Sequence, residues 1–160
     1  MKRRVALLVL AVAPLALSAP TLATSASHEP VPFRAVFTFA TSVAAHPSPC
    51  AEIRIDVTGS GVATLLGPFT TVQFQCTTSA DPLSFSGGKY TFTGAHGNTI
   101  FGTYAGRFDP IGTTGLFHIN ATFTIDGGTG RFAGATGGGK AGGTATQAGG
   151  TVILTGTISI

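Results

Sequence analysis

Gly134-Ala135-Thr136-Gly137-Gly138-Gly139-Lys140 carries the most recognisable chemical spacing in this chain, that of a glycine loop that cradles phosphate and ends in lysine. The residue after the lysine must supply a hydroxyl for magnesium, and here it is Ala141. A helix must also follow, which Ala141-Gly142-Gly143-Thr144 will not form. Nucleotide binding is excluded on both counts. The histidines His28, His46, His96 and His118 have no metal-ligand spacing, so no metal site is expected. His96 reads as a turn residue and His118 as a solvent-facing strand residue. No G-x-S-x-G elbow is present for a hydrolase, and the acids do not occur as an obvious glycosidase pair. No cofactor is indicated. Any chemistry must come from side chains that the fold brings together.

The compartment is set by the first residues. Met1-Lys2-Arg3-Arg4 is basic, Val5 to Ala19 is apolar apart from Pro14 and Ser18, and small residues follow at Ala23 to Ala26. That order predicts a signal peptide over 1–26, cleaved after Ala26, because the apolar run is shorter than a membrane span requires. Export leaves 27–160 as one domain, secreted and clear of the membrane. The three leader bases supply the whole formal charge of +3. Beyond them the bases and acids balance and lie scattered singly, so nucleic acid is excluded as a partner.

Cys50 and Cys76 are the two cysteines, and in an exported chain they predict a disulfide. Alternation puts Cys76 on an apolar face with Val72 and Phe74, whereas Cys50 has the parity of Glu52, Arg54 and Asp56. The edge segment His46-Pro47-Ser48-Pro49 is expected to free Cys50 from that parity.

The elements that must position these residues are strands. Phe117, Ile119, Ala121, Phe123 and Ile125 alternate with polar residues, as do Tyr90 with Phe92 and Phe33 through Phe39. A period of two puts one side of each strand on a core. Turn signals stand at Gly59-Ser60-Gly61, Gly67-Pro68, Ser86-Gly87-Gly88, His96-Gly97-Asn98, Asp109-Pro110, Gly127-Gly128 and Gly149-Gly150. The predicted strands are roughly 33–43, 51–58, 62–66, 69–77, 84–94, 98–108, 115–126 and 151–160, with a weaker one near 139–147. The fold class is all-β, a closed antiparallel up-and-down barrel of about eight strands. The glycine-rich 127–150 segment reads as a tight crossing that closes one barrel end, with Phe132 as its apolar plug.

Gly127-Gly128-Thr129-Gly130-Arg131-Phe132-Ala133-Gly134-Ala135-Thr136-Gly137 resembles the G-G-T-G-x-F-x-x-A-x-G signature of the dirigent and allene oxide cyclase-like barrel superfamily. Asn98 to Gly106, Phe117 to Ile125 and Leu154 to Ser159 are similar to the same group, and closest to its small secreted bacterial proteins. The resemblance covers about the C-terminal half, with a weaker echo at Gly61 to Phe69. It implies an eight-stranded barrel with an apolar interior, associated as a homo-oligomer. The plant members direct radical coupling of phenols or cyclise a fatty-acid epoxide. The acidic, arginine and tyrosine positions of those enzymes have no match by motif here.

Phe37, Tyr90, Phe92, Tyr104, Phe117 and Phe123 are the candidate barrel lining. Their rings either fill the core, as in most small barrels, or surround a cavity for an apolar small molecule. A membrane barrel would show aromatic girdles, which a chain without Trp and with two Tyr does not supply. Two functions follow as expectations: a secreted binding or surface structural module, or an isomerase or coupling-directing protein of the dirigent type.

Overall fold

The computed structural model describes residues 29–160; the expected leader and His28 lie outside the described residues. The alternating segments form β1 (Val31–Val43), β2 (Ile53–Ala63), β3 (Gly67–Thr77), β4 (Ser84–Gly94), β5 (Thr99–Ile111), β6 (Leu116–Ile125), the two-residue β7 (Gly127–Gly128), β8 (Thr136–Thr146) and β9 (Gly149–Ser159). Each long strand pairs antiparallel with the next, and β9 returns to β1, so eight strands close a barrel. β7 lies outside that circuit, paired to β5. Closure leaves no long strand with an unpaired edge.

Several turn signals turn out to lie inside strands. Gly59-Ser60-Gly61 is mid-β2, so the expected strands 51–58 and 62–66 are one strand. Asp109-Pro110 is paired within β5, and Gly149-Gly150 opens β9. Ser86-Gly87-Gly88 is a bulge in β4, which lets Phe85 and Tyr90, of opposite parity, both face inward. The weak 139–147 signal is the full strand β8.

The glycines are there because rings face them. Phe37 is registered opposite Gly61, Phe33 opposite Gly156 and Phe123 opposite Gly139. Phe69 sits between Gly61 and Gly94, and Phe85 opposite Gly106. Tyr90 faces Gly102, and Tyr104 faces Gly88. A Cβ on Gly61 would meet the Val36 carbonyl oxygen and lie 2.5 Å from Phe37 Cβ. Pairing a large side chain with an empty position lets the rings fold over the neighbouring backbone inside a narrow barrel.

The two ends differ. At one, residues 126–135 fold back across the opening through β7 and a 3₁₀ turn, Gly130–Phe132. Phe132 is fully buried there, beside Phe33, Ile100 and Ile158 in the same core cluster. Phe132 is the buried ring expected there, but the crossing expected over 127–150 is confined to 126–135, because 136–146 pairs on both sides as β8 and Gly149-Gly150 opens β9. At the other end, Phe39, Tyr104, Phe108 and Phe117 are only half-buried and form a mouth.

The Cys50–Cys76 disulfide sits at the mouth end, Cα atoms 5.3 Å apart. Its parity is the reverse of the sequence expectation. Thr71, Gln73 and Gln75 are the inward residues of β3, while Val72 is 69% exposed and Cys76 faces outward. Cys76 is registered opposite Arg54, so it shares the outer face of the Glu52–Arg54–Asp56 series. Cys50 therefore needs no escape from its parity to reach it. Arg54 Nε donates to Asp56 Oδ1 at 2.7 Å, its Nη1 to the Ser48 carbonyl at 2.8 Å, and its guanidinium covers the Phe74 ring. Glu52 Oε2 accepts from the Ser79 backbone and hydroxyl. These contacts tie the 44–52 connection to the outside of β3.

Two outcomes are expected. Gly61→Ala lowers stability by about 1–3 kcal/mol through overpacking. Gly142→Ala, whose Cβ would meet only Ile119 O at 3.8 Å, leaves it unchanged or slightly raised. Urea midpoints of the two variants check this contrast. Replacing both cysteines by serine costs on the order of 3 kcal/mol, the loop-closure value for a 26-residue separation. The same titration measures it, and intact mass of the unreduced protein shows no free thiol.

Candidate functional site: the barrel interior

Above the plug, the inward side chains leave a cavity of about 60 Å³ that reaches Phe39, Thr41 and Phe108 at the mouth. Aromatic rings make up nearly half of its wall, and Phe69 packs behind Phe92. Phe69 and Phe92 have ring centroids 4.3 Å apart, Tyr90 and Phe92 4.7 Å, and Phe37 meets Phe92 edge-on at 5.6 Å. Nearer the mouth, Phe85 packs on Phe108 at 4.9 Å and on Tyr104 at 5.9 Å. Such offset and edge contacts are the favourable arrangements of aromatic quadrupoles.

Of the candidates from the sequence, Phe37, Tyr90, Phe92, Tyr104 and Phe123 line this cavity. Phe117 does not. It has the inward parity of β6 but stands half-buried at the mouth, against Phe108 at 6.2 Å. Unanticipated lining residues are Phe39, Phe85 and Phe108, and above all Gln73 and Gln75. The signal for the glutamines was Phe69. Counting by twos from that inward ring reaches Thr71, Gln73 and Gln75 without a break.

The polar atoms inside are few and differently satisfied. Gln73 Nε2 donates to Thr71 Oγ1 at 3.1 Å, which leaves its carbonyl and second N–H for other partners. Tyr90 passes its hydroxyl over Gly102 and donates to the Thr124 carbonyl at 2.7 Å. Tyr104 lays its ring over Gly88, and its hydroxyl is buried without a partner. Burial pushes both phenols above their ordinary range, and at Tyr90 the Asp126 charge adds to the shift. Among the described residues no Asp, Glu, His, Lys or Arg lines the cavity. Among the described residues no group of His, Cys, Asp and Glu could hold a metal ion.

A separate surface recess at the plugged end lies between the 64–68 and 94–98 turns, with His96, Asn98 and Arg131 on its rim. Turn residues build it, rather than facing strands.

Comparison with protein-family models, with curated proteins and with solved structures returned no match.

The tyrosines provide a direct check. Tyr90→Phe is expected to cost about 0.5–1.5 kcal/mol, one hydrogen bond, whereas Tyr104→Phe is neutral or stabilising because its hydroxyl is already unpaired. A phenol raised in the folded state stabilises fully below the unfolded tyrosine value of about 10, and that stability is lost as pH rises beyond it. Alkaline unfolding followed by circular dichroism should thus move to higher pH in Tyr104→Phe.

Proposed function

We propose that this chain is an exported β-barrel that binds a small, mainly apolar molecule in its interior through the mouth. The observation that carries the reading is the inverted face of β3. A one-residue shift would bury Val72 and Phe74 and expose the glutamines, at the cost of turning Phe69 to water. The barrel instead buries Thr71, Gln73 and Gln75 beside aromatic rings and leaves Val72 to water. Phe69 fixes which face of β3 turns inward, but it does not require glutamine at 73 and 75, where apolar side chains would bury without needing hydrogen-bond partners. Local rules of this kind are typically broken at functional sites. An apolar cavity with a few convergent polar groups is the general form of a small-molecule site.

The enclosed volume takes only part of a ring-sized molecule, so the rest would lie between Phe39 and Phe108. Binding is favoured over proton-transfer chemistry, because the titratable side chains in the wall, Tyr90 and Tyr104, both hold their protons. Export is supported by the basic-apolar-small leader pattern, the disulfide and a described region with no helix long and apolar enough to cross a membrane. Arg34, Lys89, Arg107 and Lys140 point outward from mid-strand positions. A lipid-facing surface would pay about 2–4 kcal/mol for each such base near its midplane, which supports an aqueous surroundings for the barrel.

Toluene titrated into isotope-labelled protein should shift interior amide resonances saturably, at millimolar concentration or below. Ala121→Leu, which fills the cavity from β6, should abolish the shifts. Absence of any saturable change in the wild type would overturn the reading.

A further inference from the structure

Gln73 and Gln75 stand two residues apart on the inner face of β3, their Cα atoms about 7 Å apart along the strand, and both side chains line the cavity. Each is buried, at 8% and 6% exposure. A carboxamide offers both a carbonyl acceptor and N–H donors in one plane. Around them the wall is aromatic and aliphatic, with no charged side chain among its lining residues. An ionised group carried down to the glutamines would lose its hydration there and meet no counter-charge, at a cost far larger than any gain in apolar contact.

Resting on the binding reading above, we infer that the ligand is neutral and presents adjacent hydrogen-bond donor and acceptor groups, as in a lactam or small primary amide, to the Gln73 and Gln75 carboxamides. A planar N–H and C=O on the ligand matches the C=O and N–H of one glutamine in a two-point contact. The remaining apolar atoms of the ring lie against Phe85, Phe92 and Tyr104. Gln73 is held toward Thr71 by the Nε2–Oγ1 bond, so its free carbonyl is pre-oriented. Gln75, nearer the mouth, meets an incoming polar group first.

Four probes of similar size separate the contributions: δ-valerolactam, with donor and acceptor; cyclohexanone, with an acceptor only; cyclohexane, with neither; and valerate, an anion. Titration of the full-length processed protein at neutral pH, read by amide chemical shifts along β3 and β4, gives their relative affinities. The lactam is expected to bind about tenfold more tightly than the ketone, the worth of one to two net hydrogen bonds. Valerate, whose carboxylate must stay at the mouth and cannot pair with the glutamines, is expected to bind more weakly than the lactam. Gln75→Leu should erase the lactam's advantage while leaving cyclohexane binding unchanged or tighter. Gln73→Leu serves the same purpose should the first variant fold poorly. If cyclohexane and cyclohexanone bind but the lactam is no tighter, or its preference survives both substitutions, this inference falls and the binding reading stands. If none of the four perturbs the interior, both fall together.

Discussion

The rest of the structure depends on a steric fit: most of the large inward rings lie where a facing strand has no side chain, and Phe92, between Thr71 and Ile100, is the fully buried exception. Phe33, Phe37, Phe69, Tyr90, Tyr104 and Phe123 each meet glycine across the ladder. Without those gaps the rings would collide with neighbouring Cβ atoms, and the strands could not keep both their register and their spacing. Glycine weakens a strand through chain entropy. Burying aromatic surface offsets that loss, at roughly 25 cal/mol for each Å² of apolar area. The register is therefore specified by size complementarity as well as by alternation. A slip by one residue would put rings in water and glycines against threonines.

That constraint also explains why the barrel has two unlike ends. Toward the plug, Phe132 adds a ring from outside the strands, and the aliphatic residues Ile100, Ile125 and Ile158 fill the remaining space. Toward the mouth, β8 contributes little inside beyond Ala141 and Ala145, so the rings of β4, β5 and β6 have room between them. The cavity is the residue of this uneven filling. Its polar stripe comes from β3, whose outer face carries Cys76 and the ring of Phe74 under Arg54. The disulfide and the Arg54 contacts lie on the side of β3 away from the cavity, where they hold the strand's facing without occupying its interior.

Much of the architecture was legible in the residues. Alternation over Phe117–Ile125 and Tyr90–Phe92 is a local property of extended chain, and it identified strands without reference to any neighbour. The lone Phe132 among glycines marked the plug. Glycine was the ambiguous letter. Gly59 and Gly61 read as a turn because a turn and a gap opposite a ring use the same residue, and only the pairing of β2 with β1 distinguishes them. For the cavity, five aromatic lining residues followed from alternation, whereas Phe117 did not, because parity fixes a face but not a height along the barrel axis.

The sequence by itself determined the extended chain, the pairing of its only two cysteines and the burial of Phe132 among the glycines. Each of these is written in periods, counts or composition that adjacent residues set among themselves. Only the tertiary structure decided that Gln73 and Gln75 face inward while Val72 faces out, since a strand with two plausible faces takes the one its neighbours can accommodate. Phe69, seated between Gly61 and Gly94 of the flanking strands, settles that choice for the whole of β3.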